Sequence, residues 1–493
     1  MGGAPAGASV LTWCSVEGDS EVLTYGELER RSGLLAGWLA AGVPDGAVLG
    51  LIPGNDIPSV IAIVAACRLG MPCLVLSPND PVPRLRAVAS RHDVGRVLRS
   101  PFVAEHASDI ADPIPDAGLT NTALVARSIP ATHPALLFGT SGSTAASKIV
   151  VQPHRALTSN ADAVRAHHGL DRETVILGGL PTYHVNGVHF TVVAPLHAGA
   201  HVALPQEIFP YSYHELVDVH QPHIASVVPT VLEALLLTSP HWRPPASLRY
   251  FVSAAAPLTR SLINRVCSAY GVRVIQGYGL SETTNFSTTV PVDLPADVYR
   301  EVAMDADLPS VGIALPGNEV EVLADGAVLG ERQRGEICMR GHNVMTKYAD
   351  APELTAQAFA DGWFHSGDLG YWARARDGRR YFYLTGRSKN IAKVRGETVS
   401  LEEVERALLS LGSVIDAACV AAPHPTWGEQ ILALVRLGEG DHFQVRAELR
   451  TLLPAVAVPS RLVECDAVPW TRTGKIIRLE VAQLLHDYRE GVG

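Results

Sequence analysis

Apolar residues fall along the chain in two recurring patterns: short, nearly continuous runs, and longer stretches in which they return every three or four positions. The second pattern is the stripe of an amphipathic helix, and the first is that of a strand buried on both faces. Leu28, Leu34, Leu35, Trp38 and Leu39 form one such stripe. It opens at Thr24-Tyr25-Gly26-Glu27, a capping box in which hydroxyl and carboxylate each satisfy an orphan amide of the first turn. Gly42 marks its expected stop. A strand over Ala47 to Ile52, a helix over 57–69 and a strand over Cys73 to Leu76 follow. Strand runs return at Thr174 to Leu180, His201 to Leu204, Ile224 to Val228, Tyr250 to Val252 and Val272 to Gln276, mostly with a helix between. This alternation predicts an α/β fold with largely parallel sheets covered by helices.

From about residue 310 the texture changes. Short strands at Glu319 to Leu323, Gly335 to Met339 and Arg380 to Leu384, separated by Gly and Asp turns, predict a smaller β-rich subdomain. Beyond Gly386-Arg387, helices over 401–410, 444–453 and 477–487 alternate with strands over 416–422 and 431–436. The expected organisation is a large layered body over 1–387, which includes the β-rich subdomain, and a small mobile α+β domain over 388–493, with a hinge near Lys389.

Composition narrows the class. Charged residues are 18% of the 493, below the roughly 25% of average soluble chains, so a folded globular protein is expected rather than disorder. A net charge of -10 without a long basic run argues against a nucleic-acid partner. The seven cysteines contain no CxxC pair, which fits neither a disulfide framework nor a thiolate metal site and suits the reducing cytoplasm. No apolar stretch approaches the roughly 20 residues that cross a bilayer, and the N-terminus lacks a cationic head and apolar core, so no integral membrane segment and no export signal are expected.

The most informative segment is Phe138 to Lys148, which contains Gly139, Thr140, Ser141, Gly142, Ser143, Thr144 and a closing Lys148. Glycines, hydroxyls and one ammonium group supply what a polyphosphate needs. Ser147 stands where a Walker A loop has glycine, so the loop is of another kind. Its companions are Gly277-Tyr278-Gly279-Leu280-Ser281-Glu282-Thr283-Thr284, Gly362 to Gly370, Gly386-Arg387-Ser388-Lys389 and Pro469 to Lys475. In this order and spacing the five segments resemble the adenylate-forming superfamily of acyl- and aryl-CoA synthetases, nonribosomal adenylation domains and luciferases, over Leu23 to about Arg478.

That resemblance implies ATP and Mg2+ as cofactors. Thr140, Ser141, Gly142, Ser143, Thr144 and Lys148 then cradle phosphate, and Gly277, Tyr278, Gly279 and Thr283 line the nucleotide, with Tyr278 stacked on adenine. Glu282 binds the ATP-bound metal, a task its hard oxygen suits. Asp368 and Arg387 hold the ribose. Lys475 brings positive charge to the carboxylate and α-phosphate, Lys389 is the hinge, and Lys393 and Gly396 line a thiol tunnel. His184 closes the carboxylate pocket, whose remaining face is drawn from Tyr183, Val188, Val228, Ser253, Ala254, Ala255 and Ala256. Val185 takes the place where amino-acid-activating relatives carry an aspartate, which argues for an aryl or acyl acid over an α-amino acid. The loop departs from the family pattern at Ala145, Ser147 and Ile149, and Trp470 stands where a basic residue is common.

The implied reaction is ATP-dependent formation of acyl-AMP, followed by transfer to a thiol, either CoA or the phosphopantetheine of a free-standing carrier protein. A non-thiol acceptor, through amide formation or ATP-dependent diazotisation of an aryl amine with nitrite, is a second reading. A non-catalytic nucleotide-binding protein is a third.

Overall fold

The computed structural model describes residues 4–103, 107–115, 119, 126–140, 148–254, 256, 258–395, 397–424, 426–438, 441–471 and 475–490. The chain divides into two compact units, one of residues 1–320 and 339–364, the other of 321–338 and 365–493. The expected division at 387/388 lies inside the second unit, in the turn between strands Arg380–Arg387 and Ile391–Val394; of the β-rich segment, residues 321–338 and 365–387 group with the C-terminal residues and 339–364 with the first unit.

The first unit is built on two sheets. Among the described residues, seven strands run in the order Lys347–Tyr348, Ile149–Pro153, Pro134–Gly139, Cys73–Val75, Val48–Ile52, Val94–Arg99 and Asp112–Pro113. All neighbours from Pro134–Gly139 to Asp112–Pro113 are parallel, and the first two pairings are antiparallel. The second sheet has a parallel core of Arg273–Gly279, Tyr250–Ser253, Ile224–Val227, Val175–Leu177, His201–Pro205 and Ser9–Cys14, with antiparallel strands at both edges. Near-continuous apolar runs became these inner strands because both of their faces are covered.

Local signals near the N-terminus hold. Thr24 and Glu27 form the expected reciprocal capping box on helix Tyr25–Gly42, an interaction worth about 1 kcal/mol. Gly42 is the last helical residue rather than a left-handed stop, since Val43 caps the helix in an extended conformation. Helix Ile57–Leu69 matches its predicted bounds and ends at Gly70, whose φ of 66° suits glycine. Leu28, Leu35, Leu39, Val60 and Ile63 join Leu49, Leu51 and Phe138 in one core. No helix among the described residues is long and apolar enough to cross a membrane.

The second unit contains an antiparallel ribbon, Phe364–Arg374 paired with Arg380–Arg387, and a C-terminal sheet of Glu397–Ser400, Ile391–Val394, Gly428–Leu437 and Val414–His424, with Arg461–Glu464 beside Gly428–Leu437. Period-two alternation sorts this sheet's side chains. Ala417 and Cys419 pack with Val404, Leu408, Val445 and Leu449 of helices Leu401–Leu409 and His442–Leu452. Ala418 and Val420 pack with Val481 and Leu485 of helix Arg478–Glu490.

Candidate active site

Strands Pro134–Gly139 and Ile149–Pro153 are antiparallel, with Gly139 opposite Ile149, so the hydroxyl-rich segment is the connection between them. Its base is closed by the Thr140 amide, which donates to the Lys148 carbonyl at 2.9 Å. Ser141, Gly142, Ser143 and Thr144 lie outside the described residues. Lys148 is exposed, and its Nζ sits 4.9 Å from the ring centroid of Tyr348, within cation–π range.

The strand Arg273–Gly279 delivers the second element. A Cβ at Gly277 would lie 2.7 Å from the Phe286 ring, and one at Gly279 would lie 1.7 Å from the Asn285 carbonyl oxygen. Both glycines are therefore required by the close return of the chain at 285–286. Tyr278 between them is buried. The next turn, Ser281–Thr283, carries Glu282, whose Oε1 accepts the Tyr348 hydroxyl at 2.8 Å. Burial and the charge of Glu282 both push the Tyr348 phenol's pKa up, so it stays a donor. The Met345 amide donates to the Glu282 carbonyl, and Gln152 Nε2 donates to the Ser281 carbonyl at 2.9 Å.

Thr283 is fully buried; its hydroxyl accepts from the Leu280 amide and donates to the Asn285 carbonyl, so it shapes the turn. Thr284 has φ 68° and ψ -50°, and the Asn285 amide reaches the Thr283 carbonyl. This is a γ-turn in a conformation that strains a β-branched residue by about 1–3 kcal/mol. Its buried hydroxyl donates to the Asn343 carbonyl at 2.6 Å, one of the bonds that hold the strained turn.

Of the residues expected to face the acid, Val228, Ser253 and Ala254 lie at the carboxyl ends of parallel strands, where ligands of open α/β sheets bind. Ser253 ends its strand, with Val227 and Gln276 as register partners, and Val228 caps helix Pro229–Thr238. Ala254 is buried, Ala256 is half-buried, and Ala255 lies outside the described residues. The Ser253 hydroxyl is buried without a hydrogen-bond partner among the described residues. His184 precedes helix Val185–Val188, and its ring lies 4.5 Å from that of Tyr183, whose hydroxyl accepts from Asn79 Nδ2. Val188 is completely buried within the main apolar core.

In the second unit, Asp368 and Arg387 are register partners, with Arg387 Nε 2.9 Å from Asp368 Oδ1. The aspartate side chain is only 7% exposed, the arginine 38%. Lys389 is exposed in the turn that follows, where the Ser388 amide donates to the Gly367 carbonyl and the Asn390 amide to Arg387. Lys393 is exposed on strand Ile391–Val394, and Gly396 lies outside the described residues. Lys475 is exposed; its amide donates to Thr471 Oγ1 at 3.0 Å, and its carbonyl accepts from the Thr471 amide at 2.8 Å.

The AMP-binding enzyme profile matches residues 4–349, and the AMP-binding enzyme C-terminal domain matches 403–475. The chain belongs to the AMP-binding enzyme family. A sulfoacetate–CoA ligase from Cupriavidus necator is 31% identical over 93% of this chain and 92% of its own length. A feruloyl-CoA synthase from an Amycolatopsis species is 30% identical over 93% of both. Among solved structures, ATP-bound MatB from Rhodopseudomonas palustris superimposes with TM-score 0.86 at 24% identity, covering 98% of this chain and 97% of that one. The amide bond synthetase McbA from Marinactinospora thermotolerans gives 0.84 at 25%, covering 97% of both. This AMP-binding enzyme is close to the stand-alone CoA ligases and is an AMP-forming acid–thiol ligase.

Sequence reasoning passed over Tyr348, Gln152 and Asn343 in this AMP-binding enzyme. Lys347–Tyr348 is a two-residue strand, too short for any periodicity. A magnesium ion fits the Glu282 turn: the carboxylate is half-buried, oriented by a neutral donor, and in no ion pair with Lys or Arg among the described residues.

Proposed function

We propose that the enzyme activates an aryl or acyl carboxylic acid and transfers it to CoA. A carboxylate oxygen attacks the α-phosphorus of ATP, the bond to the β-phosphate breaks, and acyl-AMP and pyrophosphate form. The CoA sulfur then attacks the acyl carbon, and AMP leaves with the carbonyl–oxygen bond pair. Adenylation is needed because a carboxylate is a poor electrophile and AMP is a good leaving group.

The observation that carries this reading is the grouping of Lys148, Tyr348 and Glu282 at the base of the hydroxyl-rich loop. Lys148 and the loop amides bind phosphate, and Tyr348 orients Glu282. When bound there, magnesium neutralises triphosphate charge. Asp368 and Arg387 hold the ribose hydroxyls, Tyr278 faces adenine, and Lys475 offsets charge during attack on phosphorus. Lys389 is the pivot for the second half-reaction, and the family resemblance assigns Lys393 and Gly396 to the thiol path. The CoA ligases among the relatives favour CoA over a carrier protein's phosphopantetheine.

Beside His184, the small side chains at Ala254 and Ala256 leave room for a ring or chain, and Val185 offers nothing to an ammonium group. A pyrophosphate-release panel of benzoate-, cinnamate-, octanoate- and sulfoacetate-like acids against proteinogenic amino acids, with and without CoA, tests this. Faster turnover of an amino acid overturns the acid assignment. The likeness to an amide bond synthetase favours a second reading with an amine acceptor, which mass spectrometry of the products distinguishes by an amide in place of a thioester.

A further inference from the structure

The segment that carries Lys475 is tied at its base by backbone bonds. Trp470 and Ile476 form an antiparallel bridge. The Thr471 amide donates to the Lys475 carbonyl at 2.8 Å, and the Ile477 amide to the Pro469 carbonyl at 3.0 Å. A hairpin base of this size fixes its own register, but it needs outside contacts to fix its direction.

The C-terminal side has such a contact. Arg478, the first residue of helix Arg478–Glu490, donates to both oxygens of the buried Glu405, at 2.6 and 3.1 Å, and to Glu402 at 3.2 Å. On the N-terminal side the contact is Trp470, whose indole N–H donates to Asp416 Oδ2 at 2.7 Å. Asp416 stands where the pairing of Val414–His424 with Gly428–Leu437 shifts register between Val414 and Asp416, and such irregularities re-aim side chains. Its other oxygen accepts the Ala417 amide at 2.8 Å, so the carboxylate is held in one orientation before it receives the indole. Burial raises the carboxyl's pKa, and the indole bond lowers it.

We propose that Asp416 and Trp470 are positioning residues for adenylation: their hydrogen bond fixes the direction of the hairpin that presents the Lys475 ammonium. The inference rests on the adenylating role of Lys475. Trp470 is 39% exposed, so the ring adds little to the core, and the N–H is the operative group.

The test compares Trp470→Phe, Asp416→Ala, their double variant and Trp470→Arg with Lys475→Ala, using ATP and the fastest acid of the panel. Trp470→Phe and Asp416→Ala should each lower kcat for pyrophosphate release about tenfold, with KM for ATP and acid unchanged. The double variant should be no slower than either single one. Thiol transfer from preformed acyl-AMP should keep its rate. Trp470→Arg, whose guanidinium can reach the same carboxylate, should retain most of the activity and lose it when Asp416 is Ala.

A Trp470→Phe enzyme at wild-type rate, while Lys475→Ala is inactive, overturns the anchor and leaves the lysine's role standing. A Lys475→Ala enzyme at wild-type rate overturns both. Equal loss in the two half-reactions, or a Trp470→Arg enzyme as slow as Trp470→Phe, assigns the contact to general structure and overturns the proposal.

Discussion

Tyr348 donates its hydroxyl to Glu282 across 66 positions of sequence, at 2.8 Å, while its ring faces the Lys148 ammonium. One side chain thus orients the carboxylate proposed for the metal and meets the lysine proposed for phosphate. Tyr348→Phe removes the donor and leaves the ring. It should raise the magnesium concentration for half-maximal adenylation several-fold, and Glu282→Gln, which removes the anionic ligand, should lower magnesium-dependent turnover about tenfold or more. Unchanged magnesium titrations in both variants would return Glu282 to the status of an ordinary loop glutamate.

What was legible in the sequence was local. The Thr24–Glu27 box and the stripe of helix Ile57–Leu69 depend on residues three and four apart, so their signals are complete within one segment. The five motif segments were legible as a set because residue types and order survive without knowledge of contacts. Tyr348 was not, because its strand pairs with Val150 nearly 200 positions earlier. The resemblance implied that Thr283 lines the nucleotide, and in the structure its hydroxyl accepts from the Leu280 amide and donates to the Asn285 carbonyl within its own turn. Val188 was expected on the substrate face, and in the structure it ends a short helix and is buried in the main core. Sequence spacing gives a helix face, and only the fold decides what covers it.

Lys475→Ala should cut adenylate formation by about 100-fold or more with the fold intact, because the side chain is exposed and supplies charge that matters at the transition state. Pyrophosphate release measured in single turnover reads this directly. A near wild-type rate would remove Lys475 from the mechanism.

Lys389 lies in a turn whose neighbouring amides, at Ser388 and Asn390, are both hydrogen-bonded. If the chain pivots there, fixing φ with Lys389→Pro should slow thiol transfer more than adenylation, since only the former requires rotation. Separate rates for the two half-reactions decide the matter, and equal losses would move the pivot elsewhere.

The last expectation concerns pH. His189 is buried, and its Nε2 lies 2.8 Å from Gln152 Oε1. The amide oxygen can only accept, so Nε2 carries the proton. Nδ1 is buried with no partner among the described residues, so the neutral ring is the stable form, and burial pushes its pKa from 6.5 down to about 3. Between those values the unfolded chain binds a proton that the folded chain does not. The stability His189 contributes is therefore complete above pH 6.5 and is lost as pH falls toward 3, at up to about 1.4 kcal/mol per pH unit for one such group. His168, also pushed down by burial, adds to the same slope. The effect bears on the site because Gln152 passes its other bond to the Ser281 carbonyl beside Glu282. His189→Gln keeps a donor for Gln152 and does not titrate, so its unfolding midpoint in urea should depend less steeply on pH between 7.5 and 5 than that of the wild type. Parallel pH profiles for the two proteins would show that His189 is protonated in the folded state or solvated, against its burial.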